Sequence, residues 1–155
     1  MADIKKIAVV ASQMVSDTLI RNLQAMPADK QDWKPMDLGR SALDQVQECT
    51  AINRWIADAY RTHELPPLDG EAFAAVKAEL DTVEKACAGL KEATTGLCDA
   101  ISSQSDADLD LTVTLPWDST PTPFAALFMV PYWNNAYHIG QICYVQTLYG
   151  DNDMH

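Results

Sequence analysis

Four segments of the chain repeat apolar residues at intervals of three and four, the period of a helix that buries one face. The first runs from Asp3 to about Met26. Ile4, Ile7, Ala11 and Met14 mark one stripe, Val15, Leu19 and Leu23 continue it, and Pro27 stops the helix. The second runs from Ala42 to about Arg61 behind Ser41, a good N-cap residue, with Asp44 in the first turn to complement the helix dipole. On it Gln45, Glu48, Ile52, Trp55 and Ala59 share one line. The third carries Phe73, Val76, Leu80, Val83, Cys87, Leu90, Thr94, Leu97 and Ile101, which predicts one unbroken seam across four heptads. The fourth opens at Thr122 and Pro123, as N-cap and first helical residue, and ends at Gly150. Pro131 falls inside it and predicts a kink just before Asn134, because proline removes a backbone hydrogen bond and crowds the preceding turn.

The connections differ in kind. Ala28 to Gly39 reads as a loop whose Trp33 and Pro35 pack over a bundle end, and His63 to Gly70 is a short proline-bearing link. Ser102 to Thr120 breaks the helical pattern. Leu111 to Leu115 alternates with period two and predicts a short extended arm, while Pro116, Trp117, Pro121 and Pro123 exclude helix. Four long helices, with a longer crossover before the last, predict an all-α four-helix bundle spanning 1–155 as a single domain. Patterning leaves the connectivity open.

Asn134 to Gly150 is the stretch with the most chemistry. Asn134, His138 and Gln141 fall at i, i+4 and i+7, with Leu127 before them and Val145 and Leu148 after them on the same helical line. Apolar residues at both ends turn this face inward, so three hydrogen-bonding side chains need partners in the core. Glu48, on a line that becomes apolar one turn later, is the best candidate to meet His138.

Composition removes several function classes. The chain has 155 residues, 11 Lys plus Arg against 22 Asp plus Glu, and a formal charge of −11. Such a surface repels phosphate backbones and anionic lipid, which argues against nucleic-acid or membrane-surface partners. The opening apolar run is too short for a signal peptide and no stretch approaches a membrane span. Cys49, Cys87, Cys98 and Cys143 lie in helical patterns with no CxxC pair, and read as reduced thiols of a cytoplasmic protein.

Three segments resemble the DinB-like superfamily, also called DinB/YfiT-like: Leu19 to Pro35, Gly39 to Trp55, and above all His138 to Gly150, HIGQICYVQTLYG. The resemblance covers nearly the whole chain and implies an up-down-down-up bundle and a homodimer. The family's closing helix carries two histidines four apart and then Gly-Gln; here His138 and Gly140-Gln141 match, and Asn134 stands at the other histidine. A third metal-binding histidine, on the second helix, is replaced by Glu48, or by Gln47 if the alignment slips by one. One imidazole, one carboxylate and one amide oxygen make a harder and weaker site than three imidazoles, less suited to zinc or nickel and no worse for manganese or magnesium.

Two functions follow. In one, the bundle has lost the metal and serves as a small-ligand-binding or dimeric interaction module, with Glu48, Asn134, His138 and Gln141 as a buried network. A nearby carboxylate then favours the charged histidine. In the other, Glu48, Asn134 and His138 hold one divalent metal (Mn, Ni, Zn or Mg) in a hydrolase or thiol transferase, and Gln45, Gln141 and Trp133 support or wall the site. A metal-free Glu48 general base beside His138 is chemically sound but is also common as plain structure. No catalytic residue is assigned. Trp55 reads as packing, His63 as exposed, His155 as a disordered end, and Ser41 and Ser102 lack nucleophile partners.

Overall fold

The computed structural model describes residues 3–155. Four long helices form the bundle: α1 (Ile4–Ala25), α2 (Ala42–Thr62), α4 (Val83–Ser102) and α7 (Met129–Leu148). Between them lie α3 (Gly70–Glu79), α5 (Asp106–Leu109), a hairpin of β1 (Thr112–Leu115) and β2 (Asp118–Pro123), and α6 (Phe124–Leu127). Side-chain pairings set the directions. Ser16 meets Asn135 and Asn22 meets Cys143, so α1 and α7 are parallel. Asn53 meets Thr94 and Tyr60 meets Gln104, so α2 and α4 are parallel. Gln45 meets His138 and Glu48 meets Asn134, so α2 and α7 are antiparallel. The order is therefore up-down-down-up.

Helix ends follow local chemistry. Asp3, Ser41 and Thr82 each accept a backbone N–H of the first turn from an extended conformation, the N-cap arrangement. Gly150 adopts φ +93° just beyond α7, a left-handed turn that glycine enters without steric cost.

The third segment is two helices, not one. Continuous helix stops at Glu79, Leu80 leaves helical geometry, and Thr82 caps a new start. The apolar spacing survives this break, which is why periodicity alone misses it; the Asp81-Thr82 pair is the local signal. Gln47 fixes the joint by donating to the carbonyls of Lys77 (3.4 Å) and Leu80 (2.8 Å). Leu80 then folds onto α4 at Gly89, where an added Cβ would come within 2.7 Å of both Leu80 methyl groups.

Three further expectations are corrected. Ile4, Ile7 and Met14 of α1 are exposed, and Ala8, Ser12, Val15, Ser16, Leu19 and Leu23 form its inner face. Small hydroxyl residues can line a close helix contact when their oxygens are paired, and Ser16 is paired to both Thr94 and Asn135. Thr122 and Pro123 end a strand, and Thr122 caps nothing. Pro131 makes no mid-helix kink before Asn134. Helical bonding is interrupted at Phe128 and restarts at Met129, which leaves Pro131 in a first turn where its missing N–H needs no partner. The period-two arm is β1, with Val113 and Leu115 half-buried and the alternating Thr112 and Thr114 exposed.

The apolar core has two parts, one around Leu19, Leu23, Val46, Leu90 and Ile142, the other around Ile56, Tyr60, Leu97, Ile101 and Phe124. A buried polar layer ties all four long helices together: Asn53 Nδ2 donates to Thr94 Oγ1 (3.0 Å), Thr94 Oγ1 to Ser16 Oγ (2.8 Å), and Asn135 Nδ2 to Ser16 Oγ (3.1 Å). No helix of the described residues is long and apolar enough to cross a membrane. Gln47→Leu removes the tie between α2 and the end of α3. It is expected to cost about 1–2 kcal/mol and to speed amide hydrogen exchange at residues 77–82 while α4 stays protected.

Candidate functional site

The facing surfaces of α2 and α7 bring Glu48, Asn134 and His138 together. His138 is buried, and both of its ring nitrogens face oxygen atoms. Nδ1 donates to Gln45 Oε1 (3.0 Å) and Gln141 Oε1 (2.8 Å), and Nε2 lies 3.1 Å from Glu48 Oε1. A proton on Nδ1 satisfies the two amide oxygens, and Nε2 faces the Glu48 carboxylate. The same Glu48 oxygen accepts Asn134 Nδ2 at 3.1 Å. Gln45 is oriented in turn, since its Nε2 donates to the Arg40 carbonyl (3.3 Å). Gln47 points away to α3, so Glu48 is the residue of this pair that faces His138.

Arg40 is the member that sequence reasoning missed. It precedes the α2 N-cap and reaches over the first two turns, donating through Nη1 to Glu48 Oε2 and through Nε to Asp44, whose other oxygen meets Lys77. Arg40 and Lys77 thus balance Asp44 and Glu48. No helical spacing could place it, although a half-buried carboxylate does require a cation or several donors. The Glu48 carboxyl is held down to about 2 from an ordinary 4.5, chiefly by the hydrogen bond with His138 and further by Asn134 and Arg40, against the upward push of burial.

The metal implied by the family resemblance does not fit this arrangement as it stands. Arg40 already holds Glu48 Oε2, and Asn134 turns its N–H end, not its oxygen, toward the carboxylate. Asn134 Oδ1 is buried without a hydrogen-bond partner. Among the described residues no group of three or more His, Cys, Asp or Glu side chains gathers as a cation site. A dication there would have to displace Arg40 and reverse the Asn134 amide.

Beside this network opens a cleft of about 610 Å³. Its walls come from four elements: Ile52 of α2, Leu115 and Trp117 of the hairpin, Ala126 of α6, and Met129, Val130 and Trp133 of α7, with Glu48 and Asn134 at the polar end. Trp117 and Trp133 are 59% and 65% exposed, unusual for so large an apolar surface. Trp55 is packing: its Nε1 donates to the Pro66 carbonyl, and its ring supports Trp117 at 6.1 Å. Trp133 stacks on Tyr137 at 5.4 Å and walls the cleft. The hairpin's contribution has no signal in helical periodicity.

The other candidates fall away on geometry. Burial raises the thiols of Cys49, Cys87, Cys98 and Cys143 above their ordinary value, and all four are free, so none is an activated nucleophile. Ser41 is a helix cap bonded to Asp32, and Ser102 donates to the Cys98 carbonyl. His63 is exposed, closing α2 in a left-handed conformation at φ 57°. His155 is not a disordered end; its Nε2 meets Asp151 at 3.0 Å. Leu148, expected inside, is exposed, because the inward line of α7 ends at Val145 and Gln146.

No protein-family model matches the sequence, and neither does any curated protein. Solved structures do match. The chain is similar to YfiT from Bacillus subtilis, a probable metal-dependent hydrolase with an unusual four-helix bundle topology, with a TM-score of 0.76 over 94% of this chain and 87% of that one at 15% identity. It is also similar to the mycothiol-dependent maleylpyruvate isomerase, with a TM-score of 0.69 over 92% of this chain and 63% of that one at 12% identity. This chain thus spans less than two thirds of that isomerase. The shared property is the fold: the chain has the DinB/YfiT-like four-helix bundle.

The Glu48 geometry has a definite pH consequence. A carboxyl depressed from 4.5 to about 2 on folding stabilises the native state fully above 4.5, and that stabilisation is lost as pH falls toward 2. After discounting for partial exposure, Glu48→Gln is expected to cost about 2 kcal/mol at neutral pH and to flatten the acid limb between pH 4.5 and 2. Chemical denaturation of both proteins across that range checks it.

Proposed function

We propose that this DinB/YfiT-like bundle is a small-ligand-binding protein whose site is the cleft bounded by α2, α7 and the hairpin. The observation that carries this reading is the cleft itself: two exposed indoles and an apolar wall lead to a fixed polar end at Glu48 and Asn134. A volume of about 610 Å³ lies within the range of small-molecule sites, which are mostly apolar with a few placed polar groups.

The parts divide the work of binding. Covering Trp117 and Trp133 supplies affinity, because each exposed aromatic side chain gains on the order of 1–2 kcal/mol when its apolar area is removed from water. Gln45 and Gln141 hold His138, His138 and Asn134 hold Glu48, and Arg40 fixes the second carboxylate oxygen, so the polar end is rigid before a ligand arrives. Its acceptors give the ligand an orientation.

One observation favours a second reading, that of a divalent-metal-dependent hydrolase or thiol transferase. Glu48, His138 and Asn134 converge within hydrogen-bond distance, so that with the Asn134 amide reversed a carboxylate oxygen, an imidazole nitrogen and an amide oxygen would share one point. The likeness to YfiT points the same way. Under it Glu48, Asn134 and His138 hold Mn, Ni, Zn or Mg after Arg40 withdraws.

Elemental analysis of untagged protein, with thermal melts in each of these cations, separates the two. The ligand-binding reading expects no stoichiometric metal and no saturable rise with any cation. It expects a rise with compact apolar molecules, about 2.7 kcal/mol at a hundredfold excess over Kd, which Trp133→Ala removes without unfolding the bundle. One metal per chain, with a melt that saturates in that cation, would sink it. Pairing Asn134→His with Glu48→His places three imidazoles together and is expected to create zinc or nickel binding, visible as a cation-dependent melt that the wild type lacks.

A further inference from the structure

The charges around the cleft are one-sided. Of its ten lining residues among those described, Glu48 is the sole ionisable one. From Ser119 to Gly150, a stretch that includes all of α6 and α7, the chain carries no Asp, Glu, Lys or Arg. The hairpin adds Asp118 and no cation. The cations of α2 are engaged elsewhere: Arg54 is held by Glu79 on α3, and Arg61 by Asp58 and the Gly96 carbonyl. Arg40 borders a different groove, beside Tyr137, Gln141 and Tyr144, and all its guanidinium nitrogens are bound, Nε and Nη2 to Asp44 and Nη1 to Glu48.

We propose that the cleft selects a compact amine, an apolar body of one or two rings bearing an ammonium or another N–H donor, over a carboxylate or phosphate of the same shape. The proposal rests on the ligand-binding reading of the cleft and adds the chemical class.

Three features support it. Trp117 and Trp133 line the cleft, and an indole ring carries negative π-density on its face, which attracts a cation and repels an anion. The polar end offers an acceptor, since Glu48 Oε2 takes one donor from Arg40 and retains a lone pair, while Asn134 has spent its N–H end on Glu48 and presents no donor to an anion. An incoming carboxylate finds no free side-chain cation there, and the chain's charge of −11 opposes its approach. Arg40 offsets the Glu48 charge without reversing it, so donors are accepted and anions gain nothing.

The test uses three probes with one phenyl body: 2-phenylethylamine, 2-phenylethanol and 3-phenylpropionate. Each is titrated into the full chain by calorimetry and by tryptophan fluorescence. The amine is expected to bind at least about tenfold more tightly than the carboxylate, with the alcohol between them. The advantage should shrink as salt screens it. Glu48→Gln should close the gap between amine and alcohol, while Trp133→Ala should weaken all three. Should Glu48→Gln fail to fold, the salt dependence of the wild type decides alone. Binding of the carboxylate as tight as that of the amine would overturn the amine proposal and leave the binding reading standing. No binding of any probe would overturn both.

Discussion

The contact between α2 and α7 at Glu48 and His138 is the constraint on which the site depends. An imidazole buried in a bundle must satisfy two ring nitrogens, and a half-buried carboxylate must find donors for two oxygens. Antiparallel packing of these helices meets both needs at once: Gln45 and Gln141 take Nδ1, Glu48 takes Nε2, and Asn134 and Arg40 complete Glu48. Breaking one member strands the others, because a buried polar group without a partner costs more than the hydrogen bond contributes. The polar end of the cleft is therefore fixed by the same bonds that hold the two helices in register.

A second polar layer works in parallel on all four long helices. Ser16, Asn53, Thr94 and Asn135 come from four different helices and meet only in the up-down-down-up arrangement. Apolar faces alone tolerate sliding by a turn, since one leucine replaces another at similar cost. A chain of hydroxyls and amides does not, and so these residues select one pairing from several that the apolar pattern permits.

The fold also explains how a pocket forms where a bundle would otherwise be closed. Interruption of the helix at Phe128, one turn before Pro131, separates α7 from the short α6, and the hairpin precedes α6. Tyr60 anchors α6 by donating to the Phe124 carbonyl at 2.8 Å. The hairpin then sets Trp117 against Trp55 and opposite the wall that α7 supplies. Arg40, bound to the second Glu48 oxygen, gives the cleft of this bundle a fixed polar end.

Local patterns determined much of this protein. Period-3.6 spacing located α1 and α2 to within a residue or two and found the ends, though not the starts, of α4 and α7; Ser41 marked the α2 start, and the Asn134, His138 and Gln141 line with Glu48 opposite was legible because polar residues on an apolar line must find one another. Tertiary structure decided what periodicity cannot carry. The break at Leu80 keeps the apolar spacing, so only Gln47 binding the α3 end reveals it. The outward turn of Ile4, Ile7 and Met14 follows from Ser16 having partners on two other helices, which no single-helix pattern records. Arg40 lies outside helical register and Trp117 sits on a hairpin distant in sequence. Their convergence on Glu48 and the cleft comes from long-range packing, where contacts depend on the path of the whole chain and not on the spacing of neighbours.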